Sequence, residues 1–225
     1  MSGMKINRGA LPLGGSPRIA YVWRFFKSTD ITDYAITGTG SPTAPIADAA
    51  GGAVTLTPSA SNDDSCQIQT DNESWKFDKL NEWYHFEFVL QVAEVTDIDL
   101  WFGLCTRDTD IINSKPNDRI GWGKDDDDAY LDVETMKNGS GNSSTNVGTL
   151  TTANARYRIA VRTFGTAGYG DVYFYRNGIL LKTIPNATVV DDEELCISVA
   201  VQNGSAGAKT LTLREVGFDV YNPSL

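Results

Sequence analysis

The chain has 225 residues, 41% of them apolar and 10% aromatic, enough for the core of one large all-β domain or two small domains. Its 29 acidic against 19 basic residues give a net charge of −10, which excludes the broad positive footprint that a nucleic acid or an anionic membrane requires. No apolar run reaches membrane-spanning length, so neither partner is expected.

Residues 1–18 carry Gly, Pro and scattered charge without periodicity and read as an N-terminal arm. Arg8, Leu11 and Leu13 are its candidate assembly contacts. No secretory signal is expected, because the apolar run around Leu11 is too short and too broken. The five N-x-S/T sequons, at Asn72, Asn138, Asn142, Asn186 and Asn203, are then fortuitous. Residues 19–225 read as a single domain that opens with a strand over Ile19 to Phe26. Residues 28–52 show no pattern, and Ala53–Thr57 and Cys66–Thr70 read as short strands.

Trp83 to Val92 is the clearest strand: Tyr84, Phe86, Phe88, Leu90 and Val92 make one wholly apolar face. Trp83, His85, Glu87, Val89 and Gln91 make the other. Leu100, Phe102 and Leu104 repeat the habit, with Trp101, Gly103 and Cys105 opposite. Arg119 to Trp122 follows, then the acidic run Asp125 to Asp128 and an alternating strand over Tyr130 to Thr135. Residues 138–149 are rich in Gly, Ser, Asn and Thr and read as a mobile loop or hairpin tip.

Tyr157, Ile159 and Val161 predict a core face with Arg156, Arg158 and Arg162 behind it. Asp171 to Ile184 predicts a hairpin turned by Asn177-Gly178, the pair a two-residue type I′ turn favours, with its second strand ending at Pro185. Leu195, Ile197, Val199 and Val201 give another buried row. In the last strand the apolar phase slips between Leu213 and Val216, which predicts a bulge near Arg214-Glu215. No segment carries a helical period. The pattern predicts an all-β sandwich of jelly-roll type, ten to thirteen short strands in two antiparallel sheets.

The three cysteines, Cys66, Cys105 and Cys196, have no zinc or C-x-x-C spacing and read as small buried hydrophobes; one disulfide is the alternative. His85 is the only histidine and has no G-x-S-x-G partner, so it reads as a cross-strand neighbour and not a base. Asp132 and Glu134 share a strand face, as a glycosidase pair would. The E-x-D-x-x-E pattern of laminarinase-like enzymes is missing, with Tyr130 and Thr135 at two of its positions. Pairing with Arg156 or Arg158 across a neighbouring strand is the simpler expectation, and no enzyme activity is expected. Asp125 to Asp128 fails the calcium-loop pattern, with Tyr130 where the turn glycine belongs. No phosphate-cradling loop exists, so no cofactor is expected. Of the five tryptophans, Trp83, Trp101 and Trp122 are candidates for a glycan or partner contact alongside His85, or else core residues.

Several stretches in order resemble the concanavalin A-like jelly-roll virion structural proteins of tailed bacteriophages. They are Ser61–Thr70, Trp83–Phe88, Leu100–Leu104, Arg119–Trp122, Tyr157–Val161 and Val172–Ile179. The resemblance covers roughly residues 50–221, and Asn177 stands where that family commonly has Asp. It implies a two-sheet sandwich with an extended arm and a non-enzymatic role. The expected role is capsid decoration or cement, bound to the major capsid protein or another virion protein and to further copies of itself. The alternative is a lectin-like adhesion module for host-surface glycans on a head or tail fibre. Either implies a location in the virion, after synthesis in the host cytoplasm.

Overall fold

The computed structural model describes residues 19–24, 34–37, 43–49 and 53–221, which fold into fifteen strands and no helix. In chain order these are β1 (Ile19–Arg24), β2 (Tyr34–Thr37), β3 (Thr43–Ala49), β4 (Ala53–Thr57), β5 (Ser65–Thr70), β6 (Trp83–Val92), β7 (Ile98–Cys105) and β8 (Arg119–Lys124). The remainder are β9 (Tyr130–Lys137), β10 (Ser140–Thr149), β11 (Ala155–Thr163), β12 (Tyr169–Arg176), β13 (Ile179–Thr188), β14 (Cys196–Asn203) and β15 (Leu211–Tyr221). Arg8, Leu11 and Leu13 lie outside the described residues.

Two antiparallel sheets face each other. The eight-stranded sheet runs β13-β12-β11-β6-β15-β4-β3, with β1 also paired to β15; the seven-stranded sheet runs β10-β9-β8-β7-β14-β5-β2. The alternating strands bury one row each, as the period of two dictates. Phe86, Phe88, Ile159, Val172 and Phe174 of the first sheet meet Leu100, Phe102, Trp122 and Val199 of the second. Trp122 is the hub, stacked 6.1 Å from Phe102 and edge-on to Tyr157 and Phe174 at 5.5 and 5.2 Å.

The hairpin at Asn177-Gly178 forms as its residues require, with φ of 50° and 80° at the two turn positions. Asn138-Gly139 builds a second turn of the same kind, with φ of 53° and 73°. Residues 140–149 therefore form an edge strand and not a loop tip. That strand is exposed along most of its length, so no apolar row marks it in the sequence. β13 likewise continues past Pro185 to Thr188. Val172 pairs with Ile184 and Gly170 with Ala187, so Pro185 and Asn186 together oppose the single Asp171. Proline is tolerated there because β13 is an edge strand and bulged. The bulge expected in β15 is present, between Leu213 and Glu215. Within the unpatterned 28–52 stretch lie two further edge strands, β2 and β3.

The seven-stranded sheet is covered on its outer side too. Residues 106–118 cross it, and every residue of β14 is buried. Two buried amides hold that loop down. Gln67 donates to the Asp108 carbonyl at 2.7 Å and accepts from the Ile111 N–H at 2.9 Å, and Gln69 accepts from the Asp108 N–H at 3.3 Å. Lys124 is buried as well, and its ammonium donates to the carbonyls of Thr96, Ile98 and Asp125 at 3.1, 2.9 and 2.9 Å. Three acceptors match its three donors, which is what makes a buried lysine tolerable.

Candidate functional site

The outer face of the seven-stranded sheet is laid out in rows across the strands. One row runs Asp132, Gly123, Trp101, Ala200, Gln67; the next runs Ser143, Glu134, Gly121, Gly103, Ser198, Gln69. The Gly-Trp-Gly alternation of β8 sends Trp122 inward and leaves its outer side bare at Gly121 and Gly123. The Trp101 ring fills that space. A Cβ at Gly121 would lie 2.7 Å from the ring, and one at Gly103 only 2.2 Å from the Ile120 carbonyl oxygen. Reaching across β8, the Trp101 indole N–H donates to Glu134 Oε1 at 3.2 Å.

The first part of loop 106–118, through Asp108 and Ile111, covers the β7–β14–β5 side of this face. On the β8–β10 side an open groove of about 190 Å³ remains, lined by Lys115, Gly123, Asp125, Asp132, Glu134, Ser143 and Thr145. Gly123 forms part of its floor: a Cβ there would stand 3.9 Å from both the Lys115 ammonium and the Trp101 ring.

The two carboxylates differ. Arg119 Nη2 donates to Glu134 Oε2 at 3.0 Å, and Arg119 Nε sits 2.9 Å from Oε1. Burial alone raises the Glu134 pKa, but Arg119, Lys115 and the Trp101 N–H outweigh it and hold the carboxyl below its ordinary range. Asp132 is pushed up by burial, with the Asp125 and Asp128 carboxylates adding, although it accepts the Asn146 N–H at 2.9 Å. The pairing expected for these acids is thus corrected. β9 and β11 belong to different sheets, so Asp132 and Glu134 do not meet Arg156 or Arg158. Arg119 takes Glu134 instead.

Arg156 and Arg158 both bind Glu87, Arg158 Nη2 at 3.0 Å. This happens on the outer face of the eight-stranded sheet, where Trp83 and His85 also lie. Trp83 stacks on Tyr173 at 5.6 Å and 25°, with the Arg162 guanidinium 5.6 Å from its ring. His85 Nδ1 stands 3.4 Å from Asp219 Oδ1, a cross-strand neighbour as expected.

The four residues named as possible glycan contacts therefore do not form one patch. Trp83 and His85 share one outer face, Trp101 lies under the other, and Trp122 is sealed in the core. Lys115, Gly123, Ser143 and Thr145 line the groove without having been singled out in the sequence. Only the bare outer side that Gly121-Trp122-Gly123 implies could have pointed to them. Among the described residues no group of three or more His, Cys, Asp or Glu is placed to hold a metal ion.

Comparison with solved structures decides the fold. Endo-1,3-beta-glucanase from Streptomyces sioyaensis superposes with a TM-score of 0.67 at 12% identity, over 95% of this chain and 100% of that one. Peanut lectin gives 0.56 at 14% identity, over 91% and 98%. Arcelin-5, a lectin-like defense protein from Phaseolus vulgaris, gives 0.57 at 10% identity, over 92% and 100%. The fold is the concanavalin A-like sandwich. Identities this low establish the fold alone. They bear out the jelly-roll half of the sequence resemblance and carry nothing of its virion half. No family model matches the chain, and no curated protein matches it in sequence.

Proposed function

We propose that this chain is a non-catalytic, lectin-like module that holds a glycan in the groove of the seven-stranded sheet, carried on a virion surface as its sequence resemblance implies. One observation carries the reading. Lys115, Asp125, Asp132, Ser143 and Thr145 converge on a glycine-floored groove of about 190 Å³. Sugars are recognised by that mixture: charged and hydroxyl groups for the ring hydroxyls, and bare backbone at Gly123 for a C–H face. The same groove supports binding without hydrolysis. Glu134 is tied to Arg119 and to the Trp101 N–H, so its carboxylate is not free to attack a sugar or to activate a water.

Calorimetric titration with a panel of oligosaccharides, β-1,3-glucan fragments and host-surface glycans among them, tests the reading. Binding that weakens at least tenfold in both Asp132→Ala and Lys115→Ala is the expected result. Absence of binding at millimolar sugar overturns the glycan assignment, and newly released reducing ends overturn the non-catalytic one.

A second reading, a capsid decoration protein bound to the major capsid protein, is favoured by the position of β1. That strand pairs with β15 from Ile19↔Val220 to Arg24↔Glu215, which sets Ile19, the residue that follows the expected arm, against β15 of the eight-stranded sheet. The mass in solution of the full chain beside a chain starting at Ile19 tests it. An oligomer that becomes monomeric on truncation supports an assembly arm, and an unchanged oligomer removes it.

A further inference from the structure

A second chemistry lies on the same sheet, beneath loop 106–118. Cys105 ends β7 and Cys196 opens β14, and the two stand directly opposite each other in the antiparallel ladder. Opposed residues in such a ladder have Cα atoms about 4.5 or about 5.5 Å apart, according to the kind of pair. Either spacing falls inside the ~4.4–6.8 Å over which a disulfide closes without moving the backbone. Opposed side chains also project from the same face, so the two sulfurs start as neighbours.

Their surroundings are polar. The Ser198 hydroxyl is 3.2 Å from Cys105 Sγ and 3.3 Å from Cys196 Sγ. Gln69 Nε2 points an amide N–H at each sulfur, 3.7 Å from Cys105 and 3.4 Å from Cys196. The Cys196 thiol donates to the Cys105 carbonyl at 3.2 Å. Ile111 and Trp101 close over the pair, and both cysteines are fully buried. Cys66 belongs to the core between the sheets, on the opposite face.

We infer that Cys105 and Cys196 form a dithiol that small peroxides convert to an intrachain disulfide. One thiolate attacks a peroxide oxygen, the O–O bond breaks, and the departing hydroxide takes up a proton to become water. The second thiol then attacks the sulfenic sulfur, the S–S bond forms, the S–O bond breaks and a second water leaves. Two electrons and two protons pass from the thiols, and one peroxide becomes two waters. Cys196 is the thiol suited to attack first. The Cys105 thiol beside it and the Ser198 hydroxyl hold it below the ordinary range, whereas burial pushes Cys105 up. The lid of Ile111 and Trp101 selects a small neutral oxidant over a bulky disulfide. Gln69 is the residue that couples the two layers, since it also holds the loop through Asp108.

The test is peroxide treatment of the folded protein, then alkylation in denaturant and peptide mass mapping. The expected product lacks two hydrogens, joins the Cys105 and Cys196 peptides, leaves only Cys66 alkylated, and melts on the order of 5 °C higher, because the bond closes a long loop. Cys66→Ser leaves the cross-link intact, while Cys105→Ser and Cys196→Ser each abolish it. Three alkylated thiols after treatment, a cross-link through Cys66, or sulfinic acids in place of a disulfide overturns the inference. Because the wild-type map reads the bond directly, the test stands even where a serine variant fails to fold.

Discussion

Tyr157 is fully buried, and its hydroxyl has no hydrogen-bond partner among the described residues. Burial pushes its phenol up to about 12. A desolvated hydroxyl with no partner costs more than the packing its oxygen contributes. Tyr157→Phe is therefore expected to raise stability by about 1 kcal/mol, read as a melting point higher by about 2–4 °C. Asp99 illustrates the opposite problem, a charge held where charge is unwelcome. Its carboxylate accepts the Asp126 N–H at 2.8 Å, yet burial pushes it up to about 6, with the Asp126 and Asp125 carboxylates adding. Between its ordinary value and about 6, the folded protein keeps a proton that the unfolded chain has released. Stability contributed by Asp99 thus falls as pH rises through that window, and the penalty is complete above it. Asp99→Asn keeps the accepting oxygen and removes the charge. It is expected to be more stable than wild type by on the order of 1 kcal/mol at neutral pH, and equal to it below about pH 4. Urea unfolding at the two pH values checks this, and a difference that persists in acid would rule out Asp99 ionisation as its source.

At the scale of elements, the two glycines of the grooved face that look alike in sequence have opposite expected behaviour. A methyl at Gly103 meets the Ile120 carbonyl oxygen at 2.2 Å, a backbone atom that cannot move aside. Gly103→Ala is expected to lose about 3 kcal/mol or more. A methyl at Gly123 meets nothing closer than 3.9 Å. Gly123→Ala is expected to fold within about 1 kcal/mol of wild type while occupying the groove floor, so that sugar affinity drops roughly tenfold. Thermal melts paired with the sugar titration separate the two effects. The same contrast explains what was legible beforehand. Strands buried on one face, β6, β11 and β12, announce themselves by alternation, and the bulge in β15 announces itself by the slip of that alternation. β10, β2 and β3 lie at sheet edges, and β10 carries no apolar row. The groove was hidden for a related reason. Asp132 and Glu134 could be seen to share a face, but whether Arg119 or Arg158 faced them depended on which sheet β9 joined, and pairing across sheets leaves no local signal.

For the molecule as a whole, burial on two faces sets a gradient of order. β14, with β7 and β5 beside it, lies between the inter-sheet core and the loop clipped by Gln67 and Gln69. Amide hydrogen exchange is expected to be slowest in β14 and β7 and fastest in the edge strand β10, whose side chains are mostly exposed. Exchange from β14 as fast as from β10 would mean that the loop does not seal the face. The eight-stranded sheet has a different peculiarity, in the order of its parts. β15 occupies residues 211–221, yet it sits centrally, with β6 along one side and β4 and β1 along the other. During synthesis every earlier strand of this sheet leaves the ribosome before the strand that joins its halves. Until then the open side of β6 has unpaired backbone groups beside the apolar row from Tyr84 to Val92, the conditions for pairing with a neighbouring nascent chain. On a crowded polysome, a pause in translation just before Leu211 is consequently the moment of greatest danger to the molecule.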